Sequence, residues 1–257
     1  APTIKAYADF LKNHYAHAVA RKFKDASGLD SAQNSERERG TPTYQIGSKT
    51  IQQMKQYIPS VSASRYKDNA PQTKNPAALF ILSPPRSGAM LLRIILAGHP
   101  KLFVTNDLQM LGFHNLKERK AALSKNYDRL LEETLRTMQA ALRCDMGEAK
   151  RINEDYESGG TTTKEFYENL QRHIGDKIFV ETSSTYALDF ETLLKAEKDF
   201  RDACYIHFIN HPCSMMRSFR SSHMEQRLYL HKHPFNSRQL AELLWVIGHM
   251  NLENFLF

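Results

Sequence analysis

From Pro76 onward, short apolar runs alternate with amphipathic stretches. Ala77–Leu82, Leu102–Val104, Lys177–Val180 and Ala203–Ile209 read as strands, each a short apolar run bounded by turn residues. Met90–Ala97, most of Leu108–Met146, Phe166–His173, Asp189–Phe200, Met215–Leu228 and Gln239–Phe257 carry helical patterning, with a break near Ser124-Lys-Asn126. Alternating strands and helices predict an α/β fold, a parallel sheet flanked by helices. Ligands of such sheets sit outside the carboxyl ends of the strands, where Arg86 and Asn210 both fall. No internal repeat is visible.

The pattern before Pro76 is different. Ala1–Leu11 reads as an amphipathic helix, with Thr3 as its N-cap and Ile4, Tyr7, Ala8 and Leu11 on one face. Lys12 to Asn75 is rich in Ser, Gln, Lys and Asn and poor in large aliphatics, the composition of a linker. Within it Asp25–Gly40 reads as loop, and Ile46–Ile58 as a short helix ended near Pro59. The expected organisation is therefore a helix over 1–11, a linker over 12–75 and a folded domain over 76–257.

Composition narrows the class. A chain of 257 residues can bury one good core with an appended segment. With 41% hydrophobic and 25% charged residues it is an ordinary globular protein, and no apolar run approaches a membrane span. The opening residues carry no signal-peptide pattern. Cys144, Cys204 and Cys213 lack metal-ligand spacing and cannot all pair, so a reducing cytoplasm is the simplest home. The net charge of +7 suits an anionic partner. Between Arg201 and Arg238, six Lys or Arg stand against two Asp or Glu, with five of the eleven histidines. No helix-turn-helix, zinc-finger or RNA-recognition pattern goes with that stretch. It reads as a solvated face or as a site for a charged nucleotide, and nucleic acid is not expected.

The chemistry concentrates in Phe80-Ile-Leu-Ser-Pro-Pro-Arg-Ser-Gly-Ala-Met90 and the helix after it. A strand stops at two prolines, which cannot donate to a sheet ladder, and a small polar turn opens a helix. Amides at such a helix N-terminus form an anion site. Gly88 admits close approach, Ser87 offers a hydroxyl and Arg86 a guanidinium fork matched to phosphate or sulfate. No Gly-Lys-Ser/Thr closes the loop, so a nucleoside triphosphatase is not expected. Other constellations are weaker. His231-Lys-His233 has no ligand partner at metal spacing and reads as a solvated loop. Ser83 and Ser87 lack the Gly-x-Ser-x-Gly elbow of a hydrolase.

Pro84-Pro-Arg-Ser-Gly88, with Leu91-Leu-Arg93 and Ala97-Gly-His-Pro100 after it, resembles the phosphosulfate loop of sulfotransferases that use 3′-phosphoadenosine-5′-phosphosulfate (PAPS). The chain is most similar to the sulfotransferase domains embedded in modular polyketide synthases. The likeness continues through Gly159-Gly-Thr-Thr-Thr-Lys-Glu-Phe-Tyr167, Ile174-Gly-Asp-Lys-Ile-Phe-Val180, Tyr205-Ile-His-Phe-Ile-Asn-His-Pro212, Arg217-Ser-Phe219 and His233-Pro-Phe235 to Glu242-Leu-Leu-Trp245. The resemblance implies a P-loop-related fold. It also implies sulfonate transfer from PAPS to a hydroxyl, with the β-hydroxyl of an acyl chain tethered to a carrier protein as the expected acceptor. The expected partners are that tethered substrate and neighbouring synthase domains, without membrane or nucleic acid. Ala1–Leu11 resembles the last helix of a polyketide acyl carrier protein. The family continues past an apolar helix like Gln239–Phe257, so the domain is expected to be truncated at its C-terminus.

The resemblance also assigns roles. The phosphosulfate would sit on Arg86, Ser87, Gly88 and the amides of Ala89 and Met90; the family has hydroxyl residues at the last two positions. The 3′-phosphate of PAPS, or of its product adenosine 3′,5′-bisphosphate, would meet Ser218 and the position of Asn210, where the family has arginine. His211 reads rather as a structural residue at the strand end. Asp107 is the candidate base, in the place of a family glutamate. Gln109 stands where a histidine is usual and Thr182 where a lysine is usual. Glu181 either faces the site or caps the segment after it. These substitutions open an alternative expectation, a catalytically degenerate scaffold domain within a synthase.

Overall fold

The computed structural model describes residues 46–59, 73–105, 107–124, 127–228, 230 and 232–257. The expected helix over 1–11 and the loop over 25–40 lie outside the described residues. The chain divides into compact units of residues 1–53 and 54–257. In the first, the described residues 46–53 hold most of helix α1, Ser48–Lys55, which runs across the division.

The second unit is built on four parallel strands: β1 (Ala78–Leu82), β2 (Leu102–Val104), β3 (Ile178–Glu181) and β4 (Cys204–His207). Their order is β2-β3-β1-β4. Leu79 pairs with Val180 on one side and Cys204 on the other, so β1 is central and buried on both faces. Helices fill the crossovers: α2 (Ala89–Ala97), α3 (Leu116–Ala122), α4 (Tyr127–Leu142), α5 (Met146–Gly159), α6 (Thr163–His173) and α7 (Phe190–Asp199). After β4 come α8 (Pro212–Ser221) and α9 (Ser237–Leu256).

Alternation along the strands makes two cores. Phe80, Leu82 and Phe179 enter the larger, with Phe166, Tyr167, Tyr186 and Phe200. Edge-to-face contacts set its geometry: Tyr167 lies 5.5 Å from Phe179 and 5.2 Å from Phe200 between ring centroids. Ile81 and Val180 face the other way and meet Ala89, Leu92 and Leu96 of α2. The far side of α2 is apolar and open: Met90, Leu91, Ile94 and Ile95 are 64%, 66%, 57% and 65% exposed.

The helix pattern needs three corrections. Residues 108–115 are not helical but form the connection leading to α3, and Met146 opens a helix instead of ending one. Helix α5 was not expected. It is polar nearly throughout and buries Asn153 and Glu157 beside Ala149, so its core face carries no strong apolar period. Finally, α8 begins at Pro212, a residue suited to a first turn, and ends at Ser221. His223 is left-handed (φ 48°) and a 3₁₀ turn replaces the expected extension to Leu228.

Candidate functional site

All four strands end at one edge, and the loops after them carry the residues singled out in the sequence. After β1, the chain turns at Ser83–Gly88. Arg86 (φ 66°) and Gly88 (φ 93°) are both left-handed, a conformation that favours glycine at the second position. The Ser87 amide and hydroxyl both donate to Pro84 O, at 3.3 and 2.8 Å, so this buried side chain folds the turn. Gly88 is the N-cap of α2 and Leu91 N bonds back to its carbonyl at 3.1 Å. The amides of Ala89 and Met90 belong to the helix's first turn, where no intrahelical acceptor exists. The Met90 side chain is exposed and does not fill the turn.

Helix α8 comes to meet this loop. Arg86 Nε donates to Ser218 Oγ at 3.0 Å, so the two assigned anion residues are neighbours. Asn210 sits between β4 and α8 with its side-chain Oδ1 accepting the His211 amide at 2.8 Å. His211 is the N-cap of α8, Nδ1 accepting the Cys213 amide at 3.2 Å, in line with a structural role.

Helix α9 supports both loops from below. Buried Trp245 donates Nε1 to Asn210 O at 3.2 Å. Gly248 lies against Pro84 so closely that a Cβ there would stand 2.8 Å from Pro84 Cγ. His249 Nδ1 meets His207 Nε2 at 2.8 Å. Burial, and then the charge His207 would carry, push the His249 pKa down to about 3.

After β2 and β3 the loops interlock. Thr105 N donates to Val180 O at 2.8 Å and continues the ladder. Gln109 is left-handed (φ 50°), a cost that lets one residue make two bonds: its amide to Ser183 Oγ at 3.2 Å and its Nε2 to Asp107 Oδ2 at 3.2 Å. Asp107 is half-buried as a residue, but its Oδ1 is shut from solvent and has no partner among the described residues. Burial raises the Asp107 pKa, against the Gln109 hydrogen bond and the charges of Arg129 and Arg119. Thr182 Oγ1 is also buried without a partner among the described residues.

Glu181, at the end of β3, is 1% exposed and does not cap the segment after it. Its carboxylate accepts from Tyr167, from Tyr186 at 2.6 Å and from Ser183 at 3.0 Å. Burial raises its pKa to about 7, more than the three hydroxyls lower it. Sequence reading named Glu181 without this cage, and did not single out Ser183. The available signal was a charged residue ending a buried strand, with tyrosines at 167 and 186.

Beside Gln109 and Tyr186 lies a pocket open to solvent, with an apolar wall that includes Ile58, Phe113, Leu188 and Leu228. No group of His, Cys, Asp and Glu among the described residues could hold a metal ion. None of the described helices is long and apolar enough to cross a membrane.

A family model described as "Sulfotransferase family" matches residues 76–253, more than half of the chain. The chain belongs to the sulfotransferase family. Among solved structures, this chain resembles the sulfotransferase domain of the Synechococcus PCC 7002 olefin synthase at 30% identity and a TM-score of 0.64. The match covers 72% of this chain and 63% of that one. It also resembles the sulfotransferase domain from the curacin biosynthetic pathway at 32% identity and a TM-score of 0.64, over 72% and 64% of the two chains. The chain thus spans just under two thirds of those domains. No curated protein sequence matches it.

Proposed function

We propose that this domain transfers a sulfonate from PAPS to a hydroxyl of an acyl chain held by a carrier protein within a polyketide-type synthase. The observation that carries the reading is the convergence of Arg86, Ser218, the Gly88 turn and Asp107 on the carboxyl edge of one parallel sheet. The residues present fit an anionic nucleotide. Arg86 is exposed and uses Nε toward Ser218, Gly88 leaves the turn without a Cβ, and the Ala89 and Met90 amides head α2. In this reading Arg86 and those amides hold the phosphosulfate, with Ser87 keeping the turn closed. Ser218 and Asn210 hold the 3′-phosphate. PAPS, when bound, supplies a sulfonate already activated for transfer.

The chain's own groups do the rest. Asp107 takes the proton of the acceptor hydroxyl, Oδ1 being the oxygen left without a partner among the described residues. Gln109 orients Asp107 through Oδ2. The apolar pocket beside Gln109 suits an acyl chain, and kinship to domains of an olefin synthase and the curacin pathway suits a tethered one. Residues 1–11, read as the end of a carrier protein, and 12–75, read as a linker, belong to the same picture. The sulfate left on the acyl chain is a leaving group for a later elimination.

A second reading, a scaffold that no longer transfers sulfonate, is favoured by one set of observations. Ala89 and Met90 offer no hydroxyls, Thr182 no positive charge, and Asn210 turns its Oδ1 to the neighbouring His211 amide. Calorimetric titration of the chain with adenosine 3′,5′-bisphosphate separates the two. The transferase reading predicts saturable binding that Arg86→Ala weakens, and absence of binding sinks it.

A further inference from the structure

The segment that carries Asp107 is fastened through its backbone on both sides of that residue. Thr105 N donates to Val180 O at 2.8 Å, and Leu108 O accepts from Arg119 Nε at 2.9 Å. The Gln109 and Leu111 amides donate to the hydroxyls of Ser183 and Tyr186, at 3.2 and 3.0 Å. Leu108, Met110 and Leu111 are at most 1% exposed, so the segment belongs to the core and its backbone polar groups need partners. Gln109 is left-handed, a conformation that lasts only where its surroundings over-determine it.

Two of these ties lead to one carboxyl oxygen. Ser183 Oγ and Tyr186 Oη, the latter from the 3₁₀ turn Tyr186–Leu188, both donate to Glu181 Oε1, at 3.0 and 2.6 Å. An amide can only donate, and Oε1 can only accept, in the ionised carboxyl and equally with a proton on Oε2. Each hydroxyl between them therefore gives its one hydrogen to Glu181 and turns its oxygen to the loop. Without that acceptor the two hydroxyl hydrogens have no fixed target, and the oxygens lose the orientation that presents them to the amides. Oε2 has a different partner. Tyr167 of α6 donates to it, and that hydroxyl meets Tyr186 but no loop amide among the described residues. The carboxyl thus has a loop side and a core side.

We propose that Glu181 is a positioning residue for Asp107: through Ser183 and Tyr186 it holds the Gln109 and Leu111 amides, and so sets where the Asp107 carboxyl stands at the sheet edge. The inference rests on Asp107 being the base of the reaction proposed above. Gln109 is the link, since Ser183 holds its amide and its side chain holds Asp107 Oδ2 at 3.2 Å. Glu181, 1% exposed, acts through these groups and touches no substrate.

The test reads the amides and the reaction separately, on the full chain. Amide hydrogen exchange followed by NMR should find Gln109 and Leu111 protected in wild type. Ser183→Ala should speed exchange at Gln109, and Tyr186→Phe at Leu111, by about two- to tenfold each, the scale of one lost hydrogen bond. Tyr167→Phe removes a hydrogen bond from the core side of the same carboxyl and should leave both amides as they are. Glu181→Gln can keep an acceptor in place of Oε1 and turn its NH2 to Tyr167, so it should keep the protection that Glu181→Leu loses. If the leucine variant does not fold, the two hydroxyl variants carry the test. Unchanged exchange at both amides in those variants overturns the proposal, as does an equal loss of protection in Tyr167→Phe. With PAPS and a 3-hydroxyacyl thioester, Ser183→Ala should lower kcat about ten- to a hundredfold, the scale of a misplaced catalytic group, at an unchanged KM for PAPS. A wild-type kcat in Ser183→Ala, or an equal fall in Tyr167→Phe, overturns the positioning role. Should wild type transfer no sulfonate, the reaction assigned above falls, while exchange still decides whether Glu181 holds the loop.

Discussion

Arg86 Nε and Ser218 Oγ lie 3.0 Å apart, so a single hydrogen bond joins the turn after β1 to the helix after β4. The two residues are assigned to opposite ends of one nucleotide, and the fold brings them together because they follow neighbouring strands, β1 and β4. Arg86 is exposed, so the bond is a modest one, worth about 1 kcal/mol. A phosphate entering the edge can replace it with charge-assisted bonds to both groups.

That geometry ranks the two residues. Arg86→Ala should weaken adenosine 3′,5′-bisphosphate binding by about tenfold or more, the scale of a hydrogen bond to a charged group. Ser218→Ala removes a neutral hydroxyl and should cost less, about two- to tenfold. Calorimetry on the two variants checks the order.

Asn210 is where charge is missing. Its backbone carbonyl is held by Trp245 and its side chain bonds the His211 amide, so a longer side chain disturbs one local bond. Asn210→Arg should tighten nucleotide binding by about tenfold, and Ala89→Ser with Met90→Thr should add to the gain. The same titration, run on the triple variant, measures it.

The supports under the loops should matter for folding more than for chemistry. Trp245 is 2% exposed, packs edge-on against His249 with ring centroids 4.6 Å apart, and bonds Asn210 O. Trp245→Ala should destabilise the domain by about 3–5 kcal/mol in urea denaturation. Asp107→Asn, which keeps shape and the Gln109 contact, should change stability far less.

Acid should act through His249. Unfolded histidine takes a proton near pH 6.5, whereas the folded group, with its pKa pushed down to about 3, stays neutral. Its contribution to stability is therefore complete above about pH 6.5 and is lost as the pH falls toward 3. Glu181 has the opposite sign. Raised from 4.5 to about 7, it contributes fully below 4.5 and loses that contribution as the pH rises through 7. The slopes oppose one another between 4.5 and 6.5. In His249→Asn the acid loss disappears. The stability difference between variant and wild type should then change by about 1.4 kcal/mol per pH unit in that window. Denaturant titrations at two pH values inside it give the number.

Strand positions and the loop after β1 were legible because their signals are local. Apolar runs end at Pro84 and Pro85, and Gly88 sits where a left-handed residue is needed. Helix α5 was not legible, since its core face holds Asn153 bonded to Glu157, Nδ2 to Oε1 at 2.8 Å, with Lys120 on the other Glu157 oxygen at 2.6 Å, instead of presenting an apolar stripe. The end of α8 was hidden because Arg220, Ser221 and Ser222 are as helical in composition as the residues before them. The nucleotide-loop residues came from motif resemblance. No local pattern shows the cage around Glu181, whose members at 167, 183 and 186 come from a helix, a loop and a 3₁₀ turn.

Transfer itself is the most direct test. The full chain is incubated with PAPS and a carrier protein loaded with a 3-hydroxyacyl chain, and the acyl group is examined by mass spectrometry. The account predicts a sulfonated acyl product from wild type, lost or reduced at least about a hundredfold in rate in Arg86→Ala and Asp107→Asn. Wild type that binds adenosine 3′,5′-bisphosphate yet forms no sulfonated product, or an Arg86→Ala variant that forms it at the wild-type rate, would contradict it.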